Sequence, residues 1–161
     1  MNEPEKSAIE FVRLRDVDPD EILSHMRDPR IAAHLPLLTS QWDSRRVEEF
    51  IEAKEDGWRR DGLGCWAILH SGAYAGWGGF QREGEEWDFA LVLTPDSFGL
   101  GPRITKMAID FARNDRRISY ATFLLPPSRR NFGALKRLGA RHVGTVDYQG
   151  AAFLKYRLDT E

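Results

Sequence analysis

The 161 residues contain one cysteine, Cys65, and four histidines. A lone cysteine excludes an internal disulfide. His25, His34, His70 and His142 fall at no metal-ligand or triad spacing, so a cysteine-built zinc site and a histidine-centred nucleophile both lack their parts. Apolar runs are short. Ala151-Ala152-Phe153-Leu154 is typical, whereas a membrane-spanning helix needs about 20 such residues. The opening Met1-Asn2-Glu3-Pro4-Glu5-Lys6 has neither the basic nor the apolar region of a secretory signal. The expectation is a cytoplasmic chain with no membrane partner. Repeats, low-complexity stretches and linkers are also missing, and Cys65 reads as a small hydrophobe in a strand.

What is present is 42% apolar and 11% aromatic, enough for one globular domain over 1–161 with a sizeable core. Ile9–Arg15 alternates apolar and charged residues as a first strand does. Asp18-Pro19-Asp20-Glu21 opens a helix with Ile22, Leu23 and Met26 as its stripe, and Pro29 and Pro36 end it in a loop. Val47, Phe50, Ile51, Ala53 and Trp58 mark a second helix up to Asp61-Gly62. Cys65–His70, Tyr74–Gln81 and Trp87–Leu93 read as a three-strand meander, Pro102–Asn114 as a one-sided helix and Ile118–Leu125 as a strand. Asn131–Leu138 is a short helix stopped by Gly139, and Val143–Tyr148 with Ala151–Leu158 form a last hairpin. The order β-α-α-β-β-β-α-β-α-β-β predicts an α+β fold: a mixed, mostly antiparallel sheet of about seven strands flanked by four helices.

Charge is divided along the chain. Residues 1–100 hold 11 Lys and Arg against 20 Asp and Glu, and residues 101–161 hold 12 against 5. The basic half suits an anion, although any single pair such as Arg116-Arg117 also reads as a solvated surface. A nucleic-acid partner is not expected, because the basic clusters lack interleaved aromatics and the chain as a whole is acidic. Between the third meander strand and the next helix lies Thr94-Pro95-Asp96-Ser97-Phe98-Gly99-Leu100-Gly101-Pro102-Arg103. Glycines there let a backbone approach a ligand, and a helix N-terminus favours phosphate; taken alone, the same residues are a tight turn with proline at the first helical position.

Taken in order, these segments resemble the GNAT superfamily of acyl-CoA-dependent N-acyltransferases, and more closely its RimJ/RimL-like branch, over nearly the whole chain. Val12-Arg13-Leu14-Arg15 resembles the branch's opening strand, Trp66-Ala67-Ile68 and Ala75-Gly76-Trp77-Gly78-Gly79 its next two, and Asp88-Phe89-Ala90-Leu91-Val92-Leu93-Thr94-Pro95 its Glu-x-Gly-Tyr-x-Leu-x-Pro strand. Phe98-Gly99-Leu100-Gly101-Pro102-Arg103 falls on the family's pyrophosphate loop, and Ser128 leading to Arg137-Leu138-Gly139-Ala140 on its second signature.

The resemblance implies an acetyl-CoA (CoA) cofactor whose pantetheine arm lies between the fourth and fifth strands, which splay at a bulge. Main-chain groups of Leu91, Leu93 and Thr94 would line that arm. Phe98, Gly99, Leu100, Gly101, Arg103 and Ile104 would hold the diphosphate, with Ser128, Asn131, Arg129 and Arg130 nearby. It implies transfer of an acetyl or related acyl group to a primary amine, on a small molecule or a peptide, by direct attack. Asp88, with Glu86 two residues back, is the candidate base by position, though the pair also reads as the solvent side of an alternating strand. Pro102 lacks an N–H, Arg103 replaces a small residue, and Leu135 stands where the family carries its acid tyrosine. Tyr148, before Tyr120 and Tyr156, is the candidate to replace that acid, and Trp42 to line the acceptor site. The alternative is a GNAT-fold protein that binds CoA without turnover. The sequence leaves the acceptor, and whether the chain forms a homodimer, open.

Overall fold

The alternating stretch that begins at Ile9 becomes the outermost strand of a seven-stranded sheet. In the computed structural model, which describes residues 8–32, 41–127, 133–148 and 150–160, the strands are β1 (Ile9–Arg13), β2 (Cys65–His70), β3 (Ala73–Glu83), β4 (Glu86–Leu93), β5 (Tyr120–Leu125), β6 (Arg141–Tyr148) and β7 (Ala151–Asp159). The helices are α1 (Pro19–Arg27), α2 (Pro29–Ala32), α3 (Ser44–Asp61), α4 (Gly101–Arg113) and α5 (Gly133–Leu138). Strand order is β1-β2-β3-β4-β5-β7-β6, antiparallel throughout except for the β4–β5 pair. This is the expected α+β architecture.

Three local features differ from the sequence expectation. β1 stops at Arg13 because Leu14–Asp16 turn in a 3-10 helix that buries Leu14 completely. α1 ends before Pro29 as expected, but no loop begins there, and Pro36 lies outside the described residues. Pro29 opens the single turn of α2, with Asp28 as a cap whose Oδ1 accepts from the Arg30 amide at 2.9 Å. β5 begins at Tyr120, since the Ile118 amide closes a turn onto Asp115.

Pleating sends Cys65, Ala67, Trp77 and Val92 to one face, where Ile22 and Met26 of α1 and Val47 of α3 pack on them. Trp66, Phe80, Phe89 and Phe123 point the other way, onto Ala108, Ile109 and Ala112 of α4 and Leu135 of α5. β3 is the centre of this arrangement and depends on its glycines. At Gly76 φ is +148°, and a Cβ would lie 2.4 Å from the Val92 carbonyl oxygen, so β3 and β4 approach as closely as they do only because no side chain intervenes. α3 is fixed by a buried ion pair. Glu55, 3% exposed, accepts from Arg13 Nε at 3.2 Å and Nη2 at 2.5 Å, and the same guanidinium lies 4.2 Å from the centre of the Trp58 ring.

Gly76→Ala is expected to cost more than about 2 kcal/mol through this contact and the strained φ. Gly57→Ala, inside α3 with no heavy atom within 4 Å of the new Cβ, is expected to add about 0.5–1 kcal/mol. Urea denaturation reads both, and equal shifts would show that β3 and β4 do not meet this closely.

Candidate functional site

β4 and β5 are joined by only two pairs, Trp87 with Ala121 and Asp88 with Thr122. Beyond Asp88 no strand faces β4 on that side among the described residues, while its register with β3 runs unbroken from Glu83–Glu86 to Gly76–Leu93. The strands therefore part as expected, but without the expected bulge in β4. The opening comes from divergence alone.

At the wide end of the gap the chain turns through a 3-10 segment, Pro95–Leu100, into α4. Thr94 secures this turn. Its amide donates to the Ala75 carbonyl at 2.8 Å and its hydroxyl to Ser97 at 3.0 Å, so the Thr94 amide is not available to a ligand. Leu91 and Leu93 pack with Ile68 and Ile104 in the core and offer the gap only their backbone. Gly99 and Gly101 have φ outside the left-handed region, and a Cβ at Gly99 would meet nothing within 4 Å, at Gly101 only Leu93 at 3.9 Å. Local folding does not demand glycine at either position, and the space beside them is open. Phe98 is 44% exposed at its edge.

The amide cradle is poorer than the sequence implied. A helix leaves the N–H groups of its cap and first three residues outside its own ladder. Here these belong to Leu100, Gly101, Pro102 and Arg103. Pro102 has none, Gly101 donates to the Phe98 carbonyl, and the Leu100 amide belongs to the ladder of the 3-10 turn, which leaves Arg103. Ile104 belongs to the helical ladder, and its side chain is fully buried, so it serves the core. Arg103 is exposed and forms no ion pair with a described residue. Ser128, Asn131, Arg129 and Arg130 lie outside the described residues.

At the narrow end, register aligns Gln81, Asp88, Thr122 and Arg157 across β3, β4, β5 and β7 on the face that α1 and α3 only partly cover. Asp88 Oδ1 accepts from the Thr122 hydroxyl at 2.9 Å. Burial pushes the Asp88 pKa up to about 7, with the charges of Glu83 and Glu86 adding to the rise and the Thr122 hydrogen bond and Lys155 opposing it. Such a carboxyl exchanges a proton near neutrality. Glu86 shares the face but is already engaged: Lys155 Nζ lies 2.6 Å from its Oε1, and the Tyr120 hydroxyl donates to Oε2 at 3.4 Å. It reaches Asp88 as a nearby charge.

Tyr148 packs edge-on to Phe153 and lines a cavity of about 250 Å³ with Lys54, Gly57, Gln81 and Glu83. Tyr156 is buried in the core. Of the three candidate tyrosines, Tyr148 is the one that reaches this cavity. Trp42 is buried against Phe50 at the base of α3, next to the undescribed residues 33–40.

A family model described as "Acetyltransferase (GNAT) domain" matches residues 9–141. The chain belongs to the GNAT acetyltransferase family. Solved structures share its fold at low identity. A GnaT-family acetyltransferase from Bordetella pertussis is 18% identical (TM-score 0.73; 92% of this chain and 94% of that one covered). The RimL ribosomal L7/L12 α-N-protein acetyltransferase, solved with coenzyme A, is 12% identical (0.74; 94% and 93%). The spermidine N-acetyltransferase from Vibrio cholerae, solved with CoA and spermine, is 10% identical (0.73; 94% and 95%).

In this GNAT domain the position that resembles the family's acid tyrosine is Leu135, 4% exposed in the core, and it supplies no proton. Two residues were missed in the sequence. Thr122 is the one hydroxyl in the Ala121–Leu125 run, a polar residue where the pattern wants apolar ones. Lys54 on α3 donates to the Gln81 side chain and lies 5.2 Å from the Trp77 ring centre, and nothing in its helical spacing marks it.

The raised pKa gives a signed test. The folded chain holds a proton on Asp88 that the unfolded chain releases above about pH 4, so this contribution is full at low pH and is lost as pH rises to about 7. Asp88→Asn removes the dependence while keeping an acceptor for Thr122. Relative to the parent, it is expected to be more stable above neutrality by on the order of 2–4 kcal/mol, fading to little near pH 4. Melting both proteins across this range measures it, and a constant difference would mean Asp88 titrates normally.

Proposed function

We propose that this GNAT domain transfers an acetyl group from acetyl-CoA to a primary amine, with Asp88 as the base, within the RimJ/RimL-like branch. The observation that carries the reading is the two-rung β4–β5 junction, which leaves a backbone-lined gap running from the open glycine turn down to a carboxyl tuned to neutrality. The branch assignment rests on the order of motifs from Val12-Arg13-Leu14-Arg15 to Arg137-Leu138-Gly139, with RimL among the structural neighbours. Neighbours solved with CoA, and in one case with spermine, support the donor and the amine class.

The residues divide the work along the gap. Open space at Gly99 and Gly101 admits the diphosphate, with the amide and the guanidinium of Arg103 as its donors. The free edge of β4 from Phe89 to Leu93 binds the pantetheine amides as an added strand would. Acetyl-CoA supplies the acyl carbon and the thiolate leaving group. The amine nitrogen gives its proton to Asp88 and its electron pair to that carbon, while the carbon–sulfur bond breaks with its pair on sulfur. Tyr148, on the cavity wall, returns a proton to the sulfur. Buried Leu135 favours a second reading, in which CoA binds and turnover is lost.

CoA at about 100 times its dissociation constant is expected to stabilise the fold by about 2.7 kcal/mol, a rise in melting temperature of several degrees. Gly99→Leu should abolish that rise and leave the ligand-free melting temperature unchanged. Absence of any shift at millimolar CoA would reject both readings. Turnover on an amine panel that Asp88→Asn removes, with the CoA shift intact, decides for the enzyme.

A further inference from the structure

Thr122 is 2% exposed in a strand of apolar neighbours, and burying a hydroxyl there is unfavourable unless it is hydrogen-bonded. Its Oγ1 lies 2.9 Å from Asp88 Oδ1 and 3.5 Å from the Trp87 carbonyl oxygen. A hydroxyl has one proton to give, and the shorter contact, to a carboxylate, takes it. Asp88 Oδ2 hydrogen-bonds to no described residue. The two side chains also form the last rung before β4 and β5 separate, so their geometry is set by the sheet and not by a loop.

We propose that Thr122 is a positioning residue: its hydroxyl holds Oδ1 of Asp88 and leaves Oδ2 as the atom that takes the proton from the amine. The role in turnover rests on the reading of Asp88 as base. Other groups around the carboxyl do not replace the hydroxyl. Glu83 and Glu86 repel its charge, and Lys155 is held by Glu86. Arg157, although opposite Thr122, is turned onto the Tyr120 ring and Asp159. Lys54 is bonded to Gln81, and Cys65 is a buried thiol whose pKa burial raises, so it stays uncharged. Thr122 alone among the described residues donates to Asp88. Losing that bond disfavours the carboxylate and frees it to rotate.

The test compares Thr122→Val, which keeps the shape and loses the proton, with Thr122→Ser, which keeps the proton. A ¹³C NMR titration of the aspartate carboxyls, with the Asp88 signal assigned through Asp88→Asn, reads the hold directly and needs no substrate. In Thr122→Val the midpoint is expected to rise by about one unit, and in Thr122→Ser to return to the parent value. In the active enzyme the acid limb of kcat/KM should move with it: turnover near neutrality falls about five-fold, from half to about a tenth of the carboxyl ionised, recovers at higher pH, and is restored by serine. If the valine protein does not fold, alanine against serine makes the same comparison.

An unmoved midpoint, or serine as displaced as valine, overturns the proposal. A moved midpoint with an unmoved kinetic limb, or with no turnover on any amine, overturns Asp88 as base and with it the role of Thr122 in catalysis. An unmoved midpoint in an active enzyme overturns Thr122 alone and leaves the transferase reading in place.

Discussion

Two parallel rungs hold β4 to β5, and the candidate site exists because there are no more. A sheet that opens after two pairs exposes backbone groups on both lips, which is costly unless the gap is used or filled. Here one face of the gap is filled. Phe89 and Phe123 meet edge to face across it at 5.7 Å, over the core packed on α4, and the Trp87 indole donates to the Arg117 carbonyl at 3.1 Å just before β5 begins. The aromatic bridge keeps the strands apart at a fixed distance without hydrogen-bonding them. Asp88 and Thr122 share the opposite face, where the hydroxyl meets the carboxyl.

The same division explains how α3 serves the site without closing it. Glu55 ties the helix to Arg13 of β1, on the side away from the gap, and the Trp58 indole donates to the Cys65 carbonyl. Residues one and two positions from Glu55, Lys54 and Gly57, then border the cavity with Tyr148. Breaking such a buried pair by removing one partner leaves an uncompensated charge, so the anchor also fixes where the cavity wall stands. The absence of a side chain at Gly57 keeps that wall low.

The meander, the one-sided helix after the glycine turn and the last hairpin were all legible in the sequence, because each is written as a local period: two for β2, β3 and β4, and near four for Ile104, Ala108 and Ala112. The glycine turn and Asp88 could be placed from motif order. What local pattern cannot carry is pairing between distant strands. That Thr122 faces Asp88, or that Lys155 occupies Glu86, depends on a register 34 or 69 residues apart in the chain. The missing bulge and the scarcity of free amides at α4 are likewise products of how the 3-10 turn uses Gly101, which spacing alone does not encode.

The divided charge of the chain can now be resolved in part into structure. Many basic residues of the second half are committed within it: Arg117 to Asp115 and the Gly62 carbonyl, Lys106 to Asp110, Arg157 to Asp159, Lys155 to Glu86. Two of these reach into the first half, so the asymmetry partly joins the two halves of the fold. The Lys155–Glu86 pair matters most for chemistry. By neutralising Glu86 it limits how far like charge raises Asp88, which leaves burial as the main cause of a pKa near 7. Burial is fixed by packing and is little screened by salt, whereas the effect of an exposed charge falls off within a Debye length of about 8–10 Å. A carboxyl tuned by its surroundings in this way keeps its proton affinity as ionic strength changes, and only a change in the packing of the β4–β5 junction, or in the hydroxyl bonded to it, would move that affinity far.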